Sequence, residues 1–132
     1  MTEGLLIPIV GLWALSFALY AAAGLLMWKR RIHRTTHILM TVAAFVADIV
    51  ALTMQKIHMM QVGRSILSVA PALRAAQGAT QDLSMALYCV VALLGFSRIV
   101  GWHKLGRWHV PVAALFMANW LLARWFIWQV VG

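Results

Sequence analysis

Four of the five histidines lie in two short basic stretches, and imidazole nitrogens are common ligands for metal ions and haem iron. His33 and His37 are four residues apart, which places both on one face of any helix that begins before His33. His103 and His109 lie in the second stretch. Binding of haem or copper by these histidines is one interpretation, and hydrogen bonding to lipid head groups is the other.

A second candidate metal site combines thioether and imidazole side chains. Met54 and His58 are four residues apart and share a helical face, and Met59 follows directly. We expect Asp82, at the start of a later apolar segment, to approach them. Thioether and imidazole ligands suit Cu(I), but methionine also serves as flexible filler in apolar cores. Copper binding and simple packing therefore both stay open.

Three polar residues interrupt long apolar runs, namely Asp48, Asn119 and Arg124. An unpaired charge in the middle of a bilayer costs at least ~2.5–3.5 kcal/mol, so such residues need partners. Counting 1.5 Å per residue from the predicted helix starts puts Asp48 and Arg124 at a similar depth, roughly 20–24 Å from one surface. We predict an Asp48–Arg124 ion pair, which either holds the helices together or belongs to a proton or ligand site.

No other constellation points to catalysis. The sequence has no Gly-rich phosphate loop, no HExxH motif and no Ser–His–acid set that stands out. Cys89 is the only cysteine, so an internal disulfide and a CxxC metal motif are both excluded. The sequence therefore favours a non-catalytic protein and leaves enzyme activity open.

Composition decides which solvent surrounds these residues. Of 132 residues, 64% are hydrophobic, 11 are Lys or Arg and 3 are Asp or Glu. A water-soluble domain needs about a quarter of its residues charged, so lipid must face most of these side chains. The net charge of +8 comes from short clusters beside apolar runs, which favours anionic lipid rather than nucleic acid as the partner. The length allows one membrane domain, residues 1–132.

Four apolar segments are long enough to cross a hydrocarbon core of ~30 Å at 1.5 Å per residue. They run over about residues 4–27, 35–59, 80–100 and 108–131. Pro111 falls in the first turn of the fourth segment, where its missing N–H costs little. Residues Gly63 to Gly78 are predicted to connect the second and third segments.

The cations of the turns predict the orientation. The first turn carries Lys29, Arg30, Arg31 and Arg34, and the third carries Arg98, Lys104 and Arg107. Because cytoplasmic turns are rich in Lys and Arg, both turns are predicted inside and both termini on the outer, periplasmic side. The prediction is an all-α, four-helix transmembrane bundle of two hairpins in a bacterial inner membrane.

Two stretches resemble a known family. The first is His37-Ile-Leu-Met40-Thr-Val-Ala-Ala-Phe45 with His58 at the far end of the same segment, and the second is His103-Lys104-Leu-Gly-Arg107-Trp108-His109-Val-Pro111. Together they resemble small four-helix bacterial membrane proteins related to the CtaM-type maturation factors of haem-copper oxidases. The resemblance implies a four-helix fold and a role in oxidase assembly. A further histidine expected in the third segment is replaced here by Asp82 or Ser84.

The sequence leaves three functions open. The first is a non-catalytic accessory or assembly protein of a respiratory-type membrane complex, with haem or copper on its histidines. The second is a cofactor-free structural subunit packed in a larger complex. The third is a small dimeric transporter that uses Asp48. The expected partners are the lipid bilayer and a larger membrane complex or a second copy of the chain.

Overall fold

The computed structural model describes residues 3–61 and 70–131, and the regular structure in these ranges is helical. The helices are α1 (Glu3–Trp28), α2 (Arg34–Gln61), α3 (Pro71–Ile99), α4 (His103–Gly106) and α5 (His109–Val131). The all-α prediction is therefore confirmed. Pro111 is the third residue of α5, within its first turn as predicted.

Four helical stretches are long and apolar enough to cross a membrane. They are Gly4–Trp28, Arg34–Gln61, Pro71–Ile99 and His103–Gln129, with mean hydropathy between 1.5 and 2.1. Many large apolar side chains on these helices are exposed, as expected for helices whose outer faces meet lipid rather than water.

The third helix begins earlier than the apolar pattern predicts. Pro71 opens α3, so the stretch from Pro71 to Gly78 is helical, whereas the sequence predicts a connector there. Proline is favoured at the first helical position, and the backbone N–H of Arg74 donates to the carbonyl of Ala70 at 3.0 Å. The rest of the predicted connector, residues 63–69, lies outside the described residues.

The helices form two compact units. In the first unit α1 packs against α2, and in the second α3 packs against α5. Small residues lie where the helices of the first hairpin meet, since Ala23, Ala44 and Ala51 are completely buried. Such residues allow two helix backbones to approach closely, which is how helices associate where no hydrophobic effect drives them together.

Both α1 and α3 end in the same way. A residue with positive φ follows each helix, Arg30 (φ 53°) after α1 and Gly101 (φ 85°) after α3. The next residue then donates its backbone N–H back into the helix, from Arg31 to Leu26 at 2.8 Å and from Trp102 to Ser97 at 2.8 Å. This is the Schellman arrangement, and it turns each chain toward its returning helix.

Candidate functional site

His37 is held at the start of α2 by the neighbouring helix. Its Nδ1 lies 3.0 Å from the backbone carbonyl oxygen of Ala23 in α1, and the side chain is half-buried. The helix begins at Arg34, so His33 precedes α2 and does not share its face with His37. The imidazole of His33 is exposed, and its carbonyl accepts the N–H of His37 at 3.0 Å. The structure therefore gives the two histidines different surroundings.

His109 has the same arrangement in the second hairpin. Its Nδ1 lies 3.0 Å from the carbonyl oxygen of Val91 in α3, and its side chain is half-buried at the start of α5. Gly95 provides the space for the ring, because a Cβ added there would lie 3.1 Å from Cε1 of His109. His103 is exposed within the short helix α4.

These two hydrogen bonds fix the chemistry of both rings. A carbonyl oxygen can only accept, so Nδ1 of His37 and Nδ1 of His109 each carry the hydrogen. In the neutral ring the lone pair then lies on Nε2. Metal-ligating histidines use this same arrangement, in which one nitrogen donates to a carbonyl and the other binds the metal. Chemically, both rings fit a haem iron or a copper ion.

A short repeated sequence lies beside both histidines. Ser16-Phe-Ala-Leu-Tyr20 in α1 matches Ser84-Met-Ala-Leu-Tyr88 in α3, and the carbonyl that accepts from the histidine lies three residues after the tyrosine in both helices. The buried positions of the returning helices match as well. Counting 7, 10, 11 and 14 residues from the histidine gives Ala44, Ala47, Asp48 and Ala51 in α2, and Phe116, Asn119, Trp120 and Ala123 in α5.

Asp48 lies inside the first hairpin. Its side chain is only 8% exposed, and the hydroxyl of Tyr20 donates to its Oδ2 at 3.5 Å. One turn closer to the start of α2, the hydroxyl of Ser16 donates to the carbonyl of Ala44. The repeated motif thus supplies both of these polar contacts across the hairpin.

The second hairpin holds its polar groups differently. The side-chain amide of Asn119 donates to the carbonyl of Thr80 at 2.9 Å and to the hydroxyl of Ser84 at 2.8 Å. Arg124 donates to Oε1 of Gln81 at 3.2 Å, and its guanidinium stacks over the ring of Trp120 at 4.7 Å. Buried Asn119 and Arg124 are thus tied to α3.

The predicted ion pair joins residues of the two different units. Asp48 belongs to the first hairpin and Arg124 to the second. Each is buried, as expected for an ionisable group placed deep in an apolar helix. The Asp48–Arg124 ion pair stays a prediction.

The predicted copper ligands belong to two different units. His58 is buried, while Met54 and Met59 are half-buried on the same helix. Asp82 lies exposed on α3, in the other unit. Over residues 3–61 and 70–131, no group of three or more His, Cys, Asp or Glu side chains is arranged to hold a metal ion. The copper site that includes Asp82 stays a prediction.

Several polar residues inside the two hairpins were not singled out by the sequence. These residues are Ser16, Tyr20, Gln55 and Gln81, and none of them carries a charge that marks it out in an apolar helix. The repeat of Ser-x-Ala-Leu-Tyr at Ser16 and Ser84 was the available signal for two of these residues.

Comparisons with known proteins add no relative. No family model matches the chain, and neither the curated proteins nor the solved structures contain a match. The resemblance to CtaM-type maturation factors therefore stays a prediction that rests on the two stretches quoted above.

Proposed function

We propose that this chain is a non-catalytic accessory or assembly protein of a respiratory-type membrane complex, and that it carries haem or copper on His37 and His109. It crosses a bacterial inner membrane four times, with both termini outside and the basic turns in the cytoplasm. The positions of Lys29, Arg30 and Arg31 next to an apolar helix support this orientation.

The observation that carries the proposal is the matched pair of histidine–carbonyl hydrogen bonds. Each returning helix begins near one histidine whose Nδ1 donates to a carbonyl of the preceding long helix at 3.0 Å. This bond fixes which ring nitrogen carries the hydrogen, so Nε2 is the nitrogen that would bind the cofactor. The side chains of His33 and His103 are exposed, so they are the natural comparison.

A cofactor-free structural subunit is the second candidate function. The histidine–carbonyl hydrogen bonds also support this candidate. A hydrogen bond between an imidazole and the carbonyl of a neighbouring helix also fastens a hairpin. Interhelical side-chain bonds in membranes contribute about 0.6 kcal/mol on average and at most about 1.7 kcal/mol. The two candidates differ in the role of Nε2, which is a ligand in the first and is not needed in the second.

Asparagine variants separate these roles. In His37→Asn and His109→Asn the side-chain amide can still donate near the position of Nδ1, but the strong nitrogen ligand is lost. We expect the wild-type protein, purified in detergent from cells supplied with iron and copper, to show a Soret band or copper in a near-stoichiometric ratio. Each Asn variant should lower the Soret absorbance or the copper content, and His33→Ala and His103→Ala should leave it unchanged.

A colourless, metal-free wild-type protein would overturn the cofactor proposal. So would variants at His37 and His109 that keep full cofactor content. If the protein is colourless and co-purifies intact with a larger complex, the cofactor-free structural subunit is the correct assignment.

A further inference from the structure

Two buried polar atoms near the end of α2 have no hydrogen-bond partner in the described part of the chain. They are Oε1 of Gln55 and Nδ1 of His58. Gln55 is 7% exposed and His58 is 3% exposed, so neither side chain can turn to the membrane surface for a partner. Leaving a buried polar atom unsatisfied costs about 1–3 kcal/mol, so a pair of them indicates an occupant that supplies the missing contacts.

Two methionines flank this pair on the same side of the helix. At 3.6 residues per turn, Met54, His58, Gln55 and Met59 fall in that order within an arc of about 140°. They also span less than two turns, and both methionines are half-buried. Met60 falls outside the arc and is 72% exposed. The arc therefore gathers two thioether sulfurs, one imidazole nitrogen and one amide oxygen.

This set of ligands selects a soft ion. Thioether and imidazole ligands bind Cu(I), and an amide oxygen serves as a weak additional ligand in copper sites. Magnesium and calcium require several oxygen ligands, chiefly carboxylates, and the described residues of the arc contain none. A water molecule that donates one hydrogen to Gln55 and one to His58 is the simplest competing occupant.

We propose that Met54, His58 and Met59 bind one Cu(I) ion at this end of α2, with Oε1 of Gln55 as a further oxygen ligand. This site is separate from the histidines of the proposed function. His37 lies at the opposite end of α2, and His109 lies in the other hairpin. Helices α1 and α2 run antiparallel, and Ser16 of α1 contacts Ala44 of α2. Residues further along α2 therefore lie beside residues earlier in α1, which places the Cu(I) site beside the first turns of α1.

Silver(I) is a suitable probe, because it has the ligand preference of Cu(I) and no accessible oxidation step. Cys89 is a free, exposed thiol, and His37 and His109 are the proposed cofactor ligands, so all three could bind silver themselves. Every variant is therefore made in a background that carries Cys89→Ser, His37→Asn and His109→Asn. The full-length protein in detergent is dialysed against buffered Ag(I), and bound silver is measured by mass spectrometry. We expect about one Ag(I) per chain and no retention of Zn²⁺ or Mg²⁺.

Variants then assign the ligands. Met54→Leu and Met59→Leu conserve the side-chain volume, so both variants should keep the fold. Each should lower the affinity for silver about 10-fold or more, because even the loss of a residue that only hydrogen-bonds to a metal ligand has an effect of that size. His58→Leu should abolish stoichiometric binding. Met60→Leu removes a neighbouring thioether outside the arc, so it should bind silver like the parent.

Two results would overturn the inference. If the parent binds no silver, the polar pair holds water only. If Met60→Leu lowers affinity as much as Met54→Leu and Met59→Leu, the binding belongs to exposed methionines and not to this site. Failure here leaves the proposed function testable, because His37 and His109 are already replaced in this background and their cofactor is measured separately in the wild-type protein.

Discussion

The ring of His109 lies beside Gly95, where an added Cβ would make an unusually tight contact with it. A Cβ on Gly95 would lie 3.1 Å from Cε1 and 3.4 Å from Nδ1 of the ring. Gly78 lies in the same helix, and a Cβ there would meet nothing within 4 Å. The two glycines therefore provide a matched pair of positions in α3.

We predict opposite outcomes for alanine at these two positions. Gly78→Ala should raise the free energy of unfolding by about 0.5–1 kcal/mol, because alanine loses less backbone freedom in a helix. Gly95→Ala should gain little or lose stability, because the ring of His109 must move by a few tenths of an ångström. Unfolding in mixed detergent micelles measures both. Equal stabilisation by both substitutions would show that His109 is not seated on Gly95.

Asn119 and Ser84 connect the two long helices of the second hairpin. Asn119→Leu keeps the volume but removes the bonds to Ser84 and to the carbonyl of Thr80. Given the usual value of interhelical bonds in membranes, we expect a loss of about 1–2 kcal/mol in the free energy of unfolding. Ser84→Ala should cost less, and the double variant should cost less than the sum of the two.

Ser97→Ala is the control for Ser84→Ala. Ser97 is also a buried serine of α3, but its hydroxyl donates at 2.9 Å to the carbonyl of Leu93 in its own helix. Its loss should therefore show no coupling with Asn119→Leu. Additive effects of Asn119→Leu and Ser84→Ala would contradict the observed bond.

The length and apolar character of the helices could be predicted, while the partners of their polar residues could not. Long uncharged runs identify membrane-spanning helices, because their length and apolar composition are enough to show that lipid rather than water surrounds them. The start of α3 at Pro71 was missed because Arg74 and Gly78 lower the apolar signal, although neither prevents a helix. Asp48 and Arg124 stand out as charges, but which group a side chain reaches depends on helix register. His37 and His33 differ only because α2 begins between them.

Arg30 occupies a backbone position that normally suits glycine. It ends α1 with φ of 53°, where a side chain costs roughly 1–2 kcal/mol relative to glycine, and Gly101 fills the matching position after α3. We predict that Arg30→Gly stabilises the protein by about 1 kcal/mol and that Gly101→Ala destabilises it by a similar amount. Thermal unfolding in detergent measures both changes.

Loss of the Arg30 charge needs its own control. Arg31→Gln removes a neighbouring positive charge and leaves the left-handed position unchanged. If Arg31→Gln stabilises the protein as much as Arg30→Gly does, relief of charge repulsion and not of backbone strain explains the gain.

The predicted Asp48–Arg124 ion pair can be tested by a double-mutant cycle. Asp48→Asn and Arg124→Gln each remove one charge while keeping a polar side chain. If the charges pair, each single variant leaves a buried charge uncompensated, which costs about 3–5 kcal/mol. The double variant should then recover part of the loss, with a coupling energy of about 0.5–3 kcal/mol.

Local contacts supply the comparison for this cycle. Tyr20→Phe removes the long 3.5 Å hydrogen bond to Asp48 and no charge, so its cost should be well below that of Asp48→Asn. Gln81→Leu removes the acceptor of Arg124 within the second hairpin and should show no coupling with Asp48→Asn. Additive losses for Asp48→Asn and Arg124→Gln would mean that each residue is stabilised within its own hairpin, and the ion pair would be wrong.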